Sequence, residues 1–304
     1  MKPPVPVILD TDMGPDCDDA GALGVLHALA ANGEARILGV MHCTSSPWGA
    51  GCIDAINAYY GRPDLPVGTL QARGFLDEAS YRKYNEAIAK TYPNRFAGGA
   101  EQPDAVRLYR RLLSVEADGT VVVIAIGPLP NLRALLASGP DDVSELDGVE
   151  LVGRKVKELV VMGGQFPSGL EWNFRMDADS ARHVAERWPT PIMYCGYEIG
   201  ADIMTGSRLF AEAPEDHPVR RAYEWFLGGP GNRNSWDLTA VLYGVRGLGP
   251  YFGARMGGKA EVLADGANRW VDAAGGADGY LIRRTAGDDL KEELERLMVQ
   301  PPSF

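Results

Sequence analysis

The chain has 304 residues, of which 45% are hydrophobic, and a formal net charge of −11. The hydrophobic content is typical of a globular core, and the acidic balance argues against a general nucleic-acid-binding surface. Because no run of 18 apolar residues exists and the chain enters an apolar segment at once, we expect no membrane span and no signal peptide, hence a cytoplasmic protein unless an export signal has been trimmed.

Predicted strands and helices alternate up to about residue 200. The predicted strands are 5–9, 35–42, 66–70, 120–126, 158–162 and 191–195. The predicted helices are 20–31, 51–60, 105–116, a segment ending near 137, and 178–187. This alternation predicts an open, mostly parallel, doubly wound α/β sheet flanked by helices.

The remaining segments fit this pattern less well. Residues 71–103 are polar with several aromatics, and we expect them to be irregular and to cover a site or pack on a neighbour. After residue 200 we predict helices at 207–213, 216–227, 237–246 and 288–298, and a small β-rich C-terminal addition at 260–263, 269–271 and 280–284. No linker or internal repeat is present, which predicts one domain over residues 1–304.

Five aspartates follow the first predicted strand directly: Asp10, Asp12, Asp16, Asp18 and Asp19. In an open α/β sheet this loop lies at the carboxyl end of a strand, where such folds bind ligands. Carboxylates this dense repel one another unless a cation lies among them, and oxygen ligands favour Ca²⁺ or Mg²⁺ over zinc. The alternative is that Asp16, Asp18 and Asp19 cap the next helix, which leaves Asp10 and Asp12 unexplained. The spacing excludes an EF-hand.

Other strand ends also carry polar groups. The fourth strand ends at Ile126-Gly127, where a backbone carbonyl can face a site. Glu171 and Asn173 suit a polyhydroxyl ligand, because together they accept and donate hydrogen bonds; the alternative is a capped loop. Asp237 opens an apolar helix and, taken alone, is typical of an N-cap.

The four cysteines and four histidines show no metal-ligand spacing. None of Cys17, Cys43, Cys52 and Cys195 forms a CxxC pair, which favours reduced, structural thiols. His27 and His183 fall in helical patterns, where histidines are more often core or surface residues than ligands.

The motifs in order resemble the inosine-uridine-preferring nucleoside hydrolases, in a long-loop form also found in some bacterial members. The segments that carry the resemblance are 5–23, 125–132, 162–164, 171–174 followed by Asp177, and 236–237. The resemblance implies hydrolysis of the N-glycosidic bond of a ribonucleoside by a Ca²⁺-bound water, in a homodimer or homotetramer. The implied metal ligands are Asp12, Asp19, Asp237 and the carbonyl of Ile126, with Asp12 also as general base. The implied substrate contacts are Asp16, Asp18, Gln165, Glu171, Asn173 and Trp236.

Three features depart from the family pattern. Asp16-Cys17 lengthens the acidic loop by two residues, and Thr44, Ser45 and Ser46 occupy the region of a family asparagine. Trp236 stands where many members have a histidine that protonates the leaving base. Indole can instead stack on a purine or pyrimidine. Leaving-group activation would then come from another group, from solvent or from a base that leaves readily.

Two other functions compete with this interpretation. A Ca²⁺-dependent ribose or nucleoside binder without turnover is consistent with the missing histidine. The chain also resembles a haloacid-dehalogenase-like phosphohydrolase at three places: Asp10-Thr11-Asp12, Thr44 and Gly287-Asp288-Asp289. Gly14 and the lack of a suitable lysine count against that family.

Overall fold

The computed structural model describes residues 3–97, 101–285 and 287–302. Within these ranges the strands are β1 (Val5–Thr11), β2 (Ala35–His42), β3 (Val67–Thr69), β4 (Val121–Ala125), β5 (Val156–Met162), β6 (Ser168–Leu170), β7 (Ile192–Cys195), β8 (Met204–Thr205), β9 (Arg233–Asn234), β10 (Phe252–Val262), β11 (Ala267–Asp272) and β12 (Asp278–Arg283).

The helices flank and connect these strands. They are α1 (Asp18–Ala31), α2 (Gly49–Tyr59), α3 (Asn85–Thr91), α4 (Ala105–Val115), α5 (Pro130–Leu136), α6 (Gly148–Lys155), α7 (Trp172–Met176), α8 (Ala178–Arg187), α9 (Tyr197–Gly200), α10 (Ser207–Glu212), α11 (Pro218–Leu227), α12 (Trp236–Arg246) and α13 (Gly287–Met298). Among the helices in the described ranges, none combines the length and the apolar sequence that crossing a bilayer requires.

Ten strands form one sheet in the order β3-β2-β1-β4-β5-β7-β12-β10-β11-β6 within the described residues. Neighbours are parallel from β3 to β12 and antiparallel from β12 to β6. The inner strands β1 and β4 are apolar and buried on both faces, as expected for parallel strands covered by helices. The predicted α/β class and mostly parallel sheet are therefore confirmed.

The chain order reverses between β1 and β4. From β1 the chain continues through β2 and β3 on one side, and from β4 through β5 and β7 on the other. The loops after β1 and β4 consequently diverge to opposite faces and leave a crevice at their carboxyl ends. This switch point is where open α/β sheets bind ligands.

Two predictions about the elements need correction. Residues 71–103 are not irregular throughout, because α3 packs against α2 through the buried Ile88 and Ala89, and residues 79–81 form a 3₁₀ turn. Residues 98–100 lie outside the described residues. The β-rich C-terminal addition is longer than predicted and extends the main sheet, because β12 pairs with β7.

Candidate active site

A cleft of about 680 Å³ opens at the carboxyl ends of the parallel strands. Its volume lies within the roughly 300–1,000 Å³ typical of small-molecule sites. The structure brings together here all of the site residues predicted from the sequence: Asp12, Asp16, Asp18, Asp19, Ile126, Gln165, Glu171, Asn173, Trp236 and Asp237.

The bottom of the cleft is a carboxylate floor made of Asp12, Asp18, Asp19 and Asp237. Asp12 directly follows β1, the Asp18-Asp19 pair forms the first turn of α1, and Asp237 lies in the first turn of α12. All four are at most 4% exposed. Oxygens of Asp18, Asp19 and Asp237 lie within 4.8 Å of one another. Two packed helices therefore direct their N-terminal ends, which favour negative charge, towards one point.

Burial and mutual repulsion disfavour the charged forms of these acids. Burial raises the pKa of Asp12 to about 7, and it raises the pKa values of Asp18, Asp19 and Asp237 well above their usual range, with further repulsion among the carboxylates. A divalent cation among these oxygens would remove both penalties. Because every donor is a carboxylate or carbonyl oxygen, the set fits a hard cation better than zinc.

Helix capping does not account for the floor. The N-cap of α12 is Ser235 and that of α1 is Cys17, and neither cap makes a side-chain capping bond. Asp237 is instead the second residue of its helix, and its backbone N–H donates to Asp18 Oδ2 at 3.2 Å. The N-cap alternatives for Asp18, Asp19 and Asp237 are therefore wrong, since each carboxylate faces the cleft from within a helix.

Two glycines near the acidic loop occupy positions with no room for a side chain, and one of them lies against the floor. A Cβ on Gly127, in the loop after β4, would lie 2.8 Å from both Asp12 Oδ1 and Cys43 Sγ. Gly14 has a φ of +152°, and a Cβ there would lie 2.4 Å from Asn85 Nδ2. The orientation of Asp12 thus depends on the absence of a side chain at position 127.

The sugar-facing candidates lie on α7 beside the floor. The Glu171 carboxylate accepts hydrogen bonds from the N–H groups of Gly164, Asn173 and Phe174, so the capped-loop alternative is correct for its local geometry. Burial raises the pKa of Glu171 to about 7. Asn173 Nδ2 donates to Met162 O at 3.1 Å and to Ile126 O at 3.5 Å, which directs the amide group towards the strand ends.

Asp10 has a structural position behind the site. Its carboxylate accepts hydrogen bonds from Tyr109 Oη at 2.8 Å and from Asn131 Nδ2 at 3.2 and 3.3 Å. Burial raises the pKa of Asp10 to about 7. Although it stands only two residues from Asp12, Asp10 is not among the residues that line the cleft.

The mouth of the cleft is a rim of aromatic and cationic side chains, most of which the sequence did not reveal: Tyr81, Lys83, Trp172, Arg175, Tyr197, Phe226, Arg233 and Trp236. The sequence signal for these rim residues is weak. Only the aromatics of residues 71–103 indicate a covering segment, and the remaining rim residues lie in segments that are distant from one another in sequence.

Pairwise contacts connect most of the rim. The rings of Tyr81 and Trp172 meet edge to face at 6.3 Å, and Lys83 Nζ lies 5.7 Å from the centre of the Phe226 ring. The Arg233 guanidinium lies between two rings, 5.5 Å from Phe226 and 5.1 Å from Trp236.

The aromatic wall of the rim is formed by Trp236 and Tyr197. Their rings stack at 5.5 Å with 29° between planes, and Trp236 Nε1 donates to Tyr197 O at 2.9 Å. The indole N–H is therefore already used by the protein. Its ring surface remains the part suited to an aromatic ligand.

An ion pair connects the lengthened acidic loop to the rim. Arg233 donates from Nε to both oxygens of Asp16 at 3.0 Å and from Nη2 to Asp16 Oδ2 at 2.5 Å. The pair joins the loop before α1 to β9, just before Trp236 and Asp237. Of the predicted site residues, Asp16 is thus the one whose oxygens are already engaged by an arginine.

Comparisons with known proteins identify the family of the chain and structures with a similar fold. A model of the family "inosine-uridine preferring nucleoside hydrolase" matches residues 7–227. No curated protein matches the chain. The fold is similar to solved structures that share 16–17% sequence identity with it, which supports the fold alone.

Three of these structures illustrate the range of neighbours. The type III effector protein XopQ, complexed with adenosine diphosphate ribose, has a TM-score of 0.74 at 16% identity, covering 98% of this chain and 94% of the other. An inosine-uridine preferring nucleoside hydrolase from Bacillus anthracis has a TM-score of 0.70 at 16% identity, covering 97% and 99%. A purine-preferring ribonucleoside hydrolase from Gardnerella vaginalis has a TM-score of 0.71 at 17% identity, covering 96% and 98%.

Proposed function

Because this chain belongs to the inosine-uridine preferring nucleoside hydrolase family, we propose that it hydrolyses the N-glycosidic bond of ribonucleosides, or of related N-ribosides, to ribose and free base. The membership counts against the haloacid-dehalogenase-like alternative. The observation that supports the proposal most is the carboxylate floor, which lies at the topological switch point beneath an aromatic wall.

The floor and its neighbours supply the groups that hydrolysis needs. Asp12 would accept the proton of the attacking water, since Gly127 and the end of β1 hold its carboxylate in one orientation. When bound by Asp12, Asp19, Asp237 and the carbonyl oxygen of Ile126, Ca²⁺ would orient the ribose hydroxyls and acidify that water. The floor carboxylates would also stabilise the positive charge that develops on the sugar.

Substrate contacts follow from the hydrogen-bonding capacity that remains. The Asn173 amide group donates to two carbonyls, which leaves its oxygen as an acceptor for a ribose hydroxyl. Glu171 and Asp18 would accept from further hydroxyls, because each carboxylate oxygen has more than one lone pair. Asn268 holds Gln165 at the cleft wall, because its Oδ1 accepts from the Gln165 N–H and its Nδ2 donates to the Gln165 carbonyl oxygen.

Asp16 and Trp236 have different roles in this proposal. We assign Asp16 to ordering the wall through Arg233, and its direct contact with substrate stays a sequence prediction. Trp236 would stack on the base. Because the indole N–H is bound to Tyr197, Trp236 would not protonate the leaving base. The base would leave with a proton from solvent, or as an anion whose charge is delocalised over its ring.

The test is a hydrolysis assay on inosine, uridine, adenosine, cytidine and nicotinamide riboside, with released ribose measured. We expect cleavage that stops with a calcium chelator and returns with added Ca²⁺. Cleavage that continues in the presence of the chelator would contradict the metal assignment. If none of the five compounds is cleaved, the proposed activity is contradicted. Size-exclusion chromatography with light scattering tests the expected dimer or tetramer.

A second candidate is a nucleoside or ribose binder without turnover. It is favoured by Trp236 at the position where many family members have histidine, and by the similarity in fold to the type III effector protein XopQ, whose structure contains adenosine diphosphate ribose. Calorimetry with each nucleoside distinguishes it, since binding without ribose release would support this candidate.

A further inference from the structure

Two cations of the rim have no acidic partner in the part of the chain that the structure describes. Lys83 and Arg175 are both exposed and both line the cleft, yet neither makes a salt bridge there. Arg233 differs, because Asp16 neutralises it. The cleft therefore has two available positive charges in a protein whose net charge is −11.

The fold places both cations at the wall of one cleft. Arg175 lies on α7, four residues after Glu171, and residues at that spacing share a helix face. Lys83 lies two residues after Tyr81, whose ring contacts Trp172 at the start of the same helix. The segments that carry Lys83 and Arg175 thus meet at the mouth of the cleft, where Lys83 Nζ also lies 5.7 Å from the centre of the Phe226 ring.

The cleft is electrically polarised as a result. Its floor holds four buried carboxylates, whereas Lys83 and Arg175 stand at the opening. A ligand with hydroxyl groups at one end and an anion at the other would be oriented by this arrangement. Guanidinium and ammonium groups are the usual protein partners of phosphate.

Ribose chemistry decides where such an anion is attached. The 2′- and 3′-hydroxyls are adjacent, so they form the pair that can face the carboxylate floor and a cation held there. The 5′-carbon is then the ribose position free to extend past Glu171 towards Arg175. A phosphate on the 3′-oxygen would instead be directed into the carboxylates, which would repel it.

From this we infer that Lys83 and Arg175 form a phosphate subsite, and that the substrates of the cleft include ribonucleoside 5′-phosphates. The inference rests on the proposed N-riboside hydrolysis and names its substrate class. In the reaction the C1′–N bond breaks and the water oxygen bonds to C1′. One proton of the water goes to Asp12 and the other stays on the new hydroxyl, the bond electrons leave with the base, which takes up a proton from solvent, and the 5′-phosphate ester stays intact. The products are ribose 5-phosphate and the free base.

The experiment compares kcat/KM for inosine, inosine 5′-monophosphate and inosine 3′-monophosphate, with the uridine series alongside. The variant is Lys83→Gln/Arg175→Gln. Its charge-matched control is Arg133→Gln/Lys259→Gln, since both of these cations are exposed, outside the cleft and without a salt bridge among the described residues.

We expect the wild type to cleave the 5′-monophosphate and not the 3′-monophosphate. In the Lys83/Arg175 variant the kcat/KM ratio of 5′-monophosphate to nucleoside should fall about tenfold, the size expected for two exposed charge-assisted contacts. The control should keep the wild-type ratio. Added salt should lower that ratio in the wild type more than in the variant.

Three results would overturn the subsite: cleavage of nucleosides but not of 5′-monophosphates, an unchanged ratio in the variant, or an equal fall in the control. The first of these leaves the proposed hydrolysis standing. If no compound is cleaved, calorimetry replaces kinetics: tighter binding of the 5′-monophosphate than of the nucleoside, lost in the variant, still supports the subsite, and equal or absent binding refutes it.

Discussion

The floor and the rim of the cleft are built on different principles. The floor is formed by the end of β1 and the first turns of α1 and α12, so its carboxylates are buried and held by regular structure. The rim consists of side chains from turns, from β9 and from α7, α9, α11 and α12, and Lys83, Arg175 and Tyr197 among them are exposed. The floor is negative, whereas the rim is aromatic and cationic. This division suggests that the floor performs the chemistry and the rim selects the substrate.

The largest effect should come from Asp12→Asn. Loss of the proposed general base should lower kcat by about 10²–10⁴-fold, because general-base catalysis contributes about that much. The matched control is Asp10→Asn, which changes a similarly buried carboxylate two residues away, in β1, that does not line the cleft. An equal fall in kcat in both variants would show a general disturbance of the strand rather than loss of a base.

Calcium should stabilise the protein through the floor alone. At a Ca²⁺ concentration of about 100 times Kd, the free energy of unfolding should rise by about 2.7 kcal/mol over that of the chelated protein. Thermal or urea unfolding measures this difference. Asp237→Asn should reduce it, whereas Asp16→Asn should not, because Asp16 is paired with Arg233. If Asp16→Asn lowers the stabilisation by Ca²⁺ as much as Asp237→Asn does, then Asp16 also contributes to the metal site.

Gly127→Ala tests how closely the floor is packed. The new Cβ would overlap Asp12 Oδ1 and Cys43 Sγ, so we expect a loss of about 1–3 kcal/mol in unfolding free energy together with reduced kcat. Gly139→Ala is the control, because a Cβ there meets no atom within 4 Å. An unchanged kcat in Gly127→Ala would show that catalysis tolerates a displacement of the Asp12 carboxylate.

Stability without metal should depend on pH in a direction set by the floor. The pKa of Asp12 and that of Glu171 are raised to about 7, so the folded state binds more protons than the unfolded state between about pH 4 and 7. Their contribution is therefore present at acidic pH and is lost as the pH rises through 7, by at most about 1.4 kcal/mol per group per pH unit.

Buried histidines limit this gain at lower pH. Burial lowers the pKa of His27 to about 3 and those of His42 and His217 to about 4, so stability from these neutral rings is lost as the pH falls below about 6.5. In urea unfolding of the chelated protein, the stability contributed by these acids should fall as the pH rises from about 4 to 7, and the histidines should offset part of that fall below about pH 6.5. Saturating Ca²⁺ should make this fall shallower, because it compensates the charge of the floor carboxylates, and an equally steep fall with and without Ca²⁺ would contradict the floor as one of its sources.

The smallest expected effect concerns the rim. Trp236→Ala should lower kcat/KM by about two- to tenfold and more for purine than for pyrimidine nucleosides, since one aromatic stack is worth about 0.5–1.5 kcal/mol. Tyr197→Phe keeps the neighbouring ring and should preserve the base ranking. A uniform loss across all bases in Trp236→Ala would indicate that the indole orders the wall without contacting the base.

Much of the fold and the floor is predictable from sequence because both depend on local patterns. Apolar runs such as Val5–Leu9 specify buried strands, and alternation with helices places every following loop at one edge of a parallel sheet. Clustered aspartates at such an edge must therefore meet, whatever the details of packing. The family resemblance added the metal-ligand roles of Ile126 and Asp237 and the substrate contact of Gln165, which no local pattern specifies. The short helices α3 and α6 were missed because each has few apolar positions.

The rim, in contrast, was decided by tertiary structure. Asp16 and Arg233 are separated by 217 residues in sequence, and Tyr81 meets Trp172 only because α7 and the segment before α3 close over the same strand ends. An isolated lysine or tryptophan in a loop carries no periodicity that indicates its partner. By itself the sequence determined where charge would be concentrated. Only the packing of distant segments decided which cations are neutralised and which remain available to a ligand, because ion pairing depends on distance in space rather than along the chain.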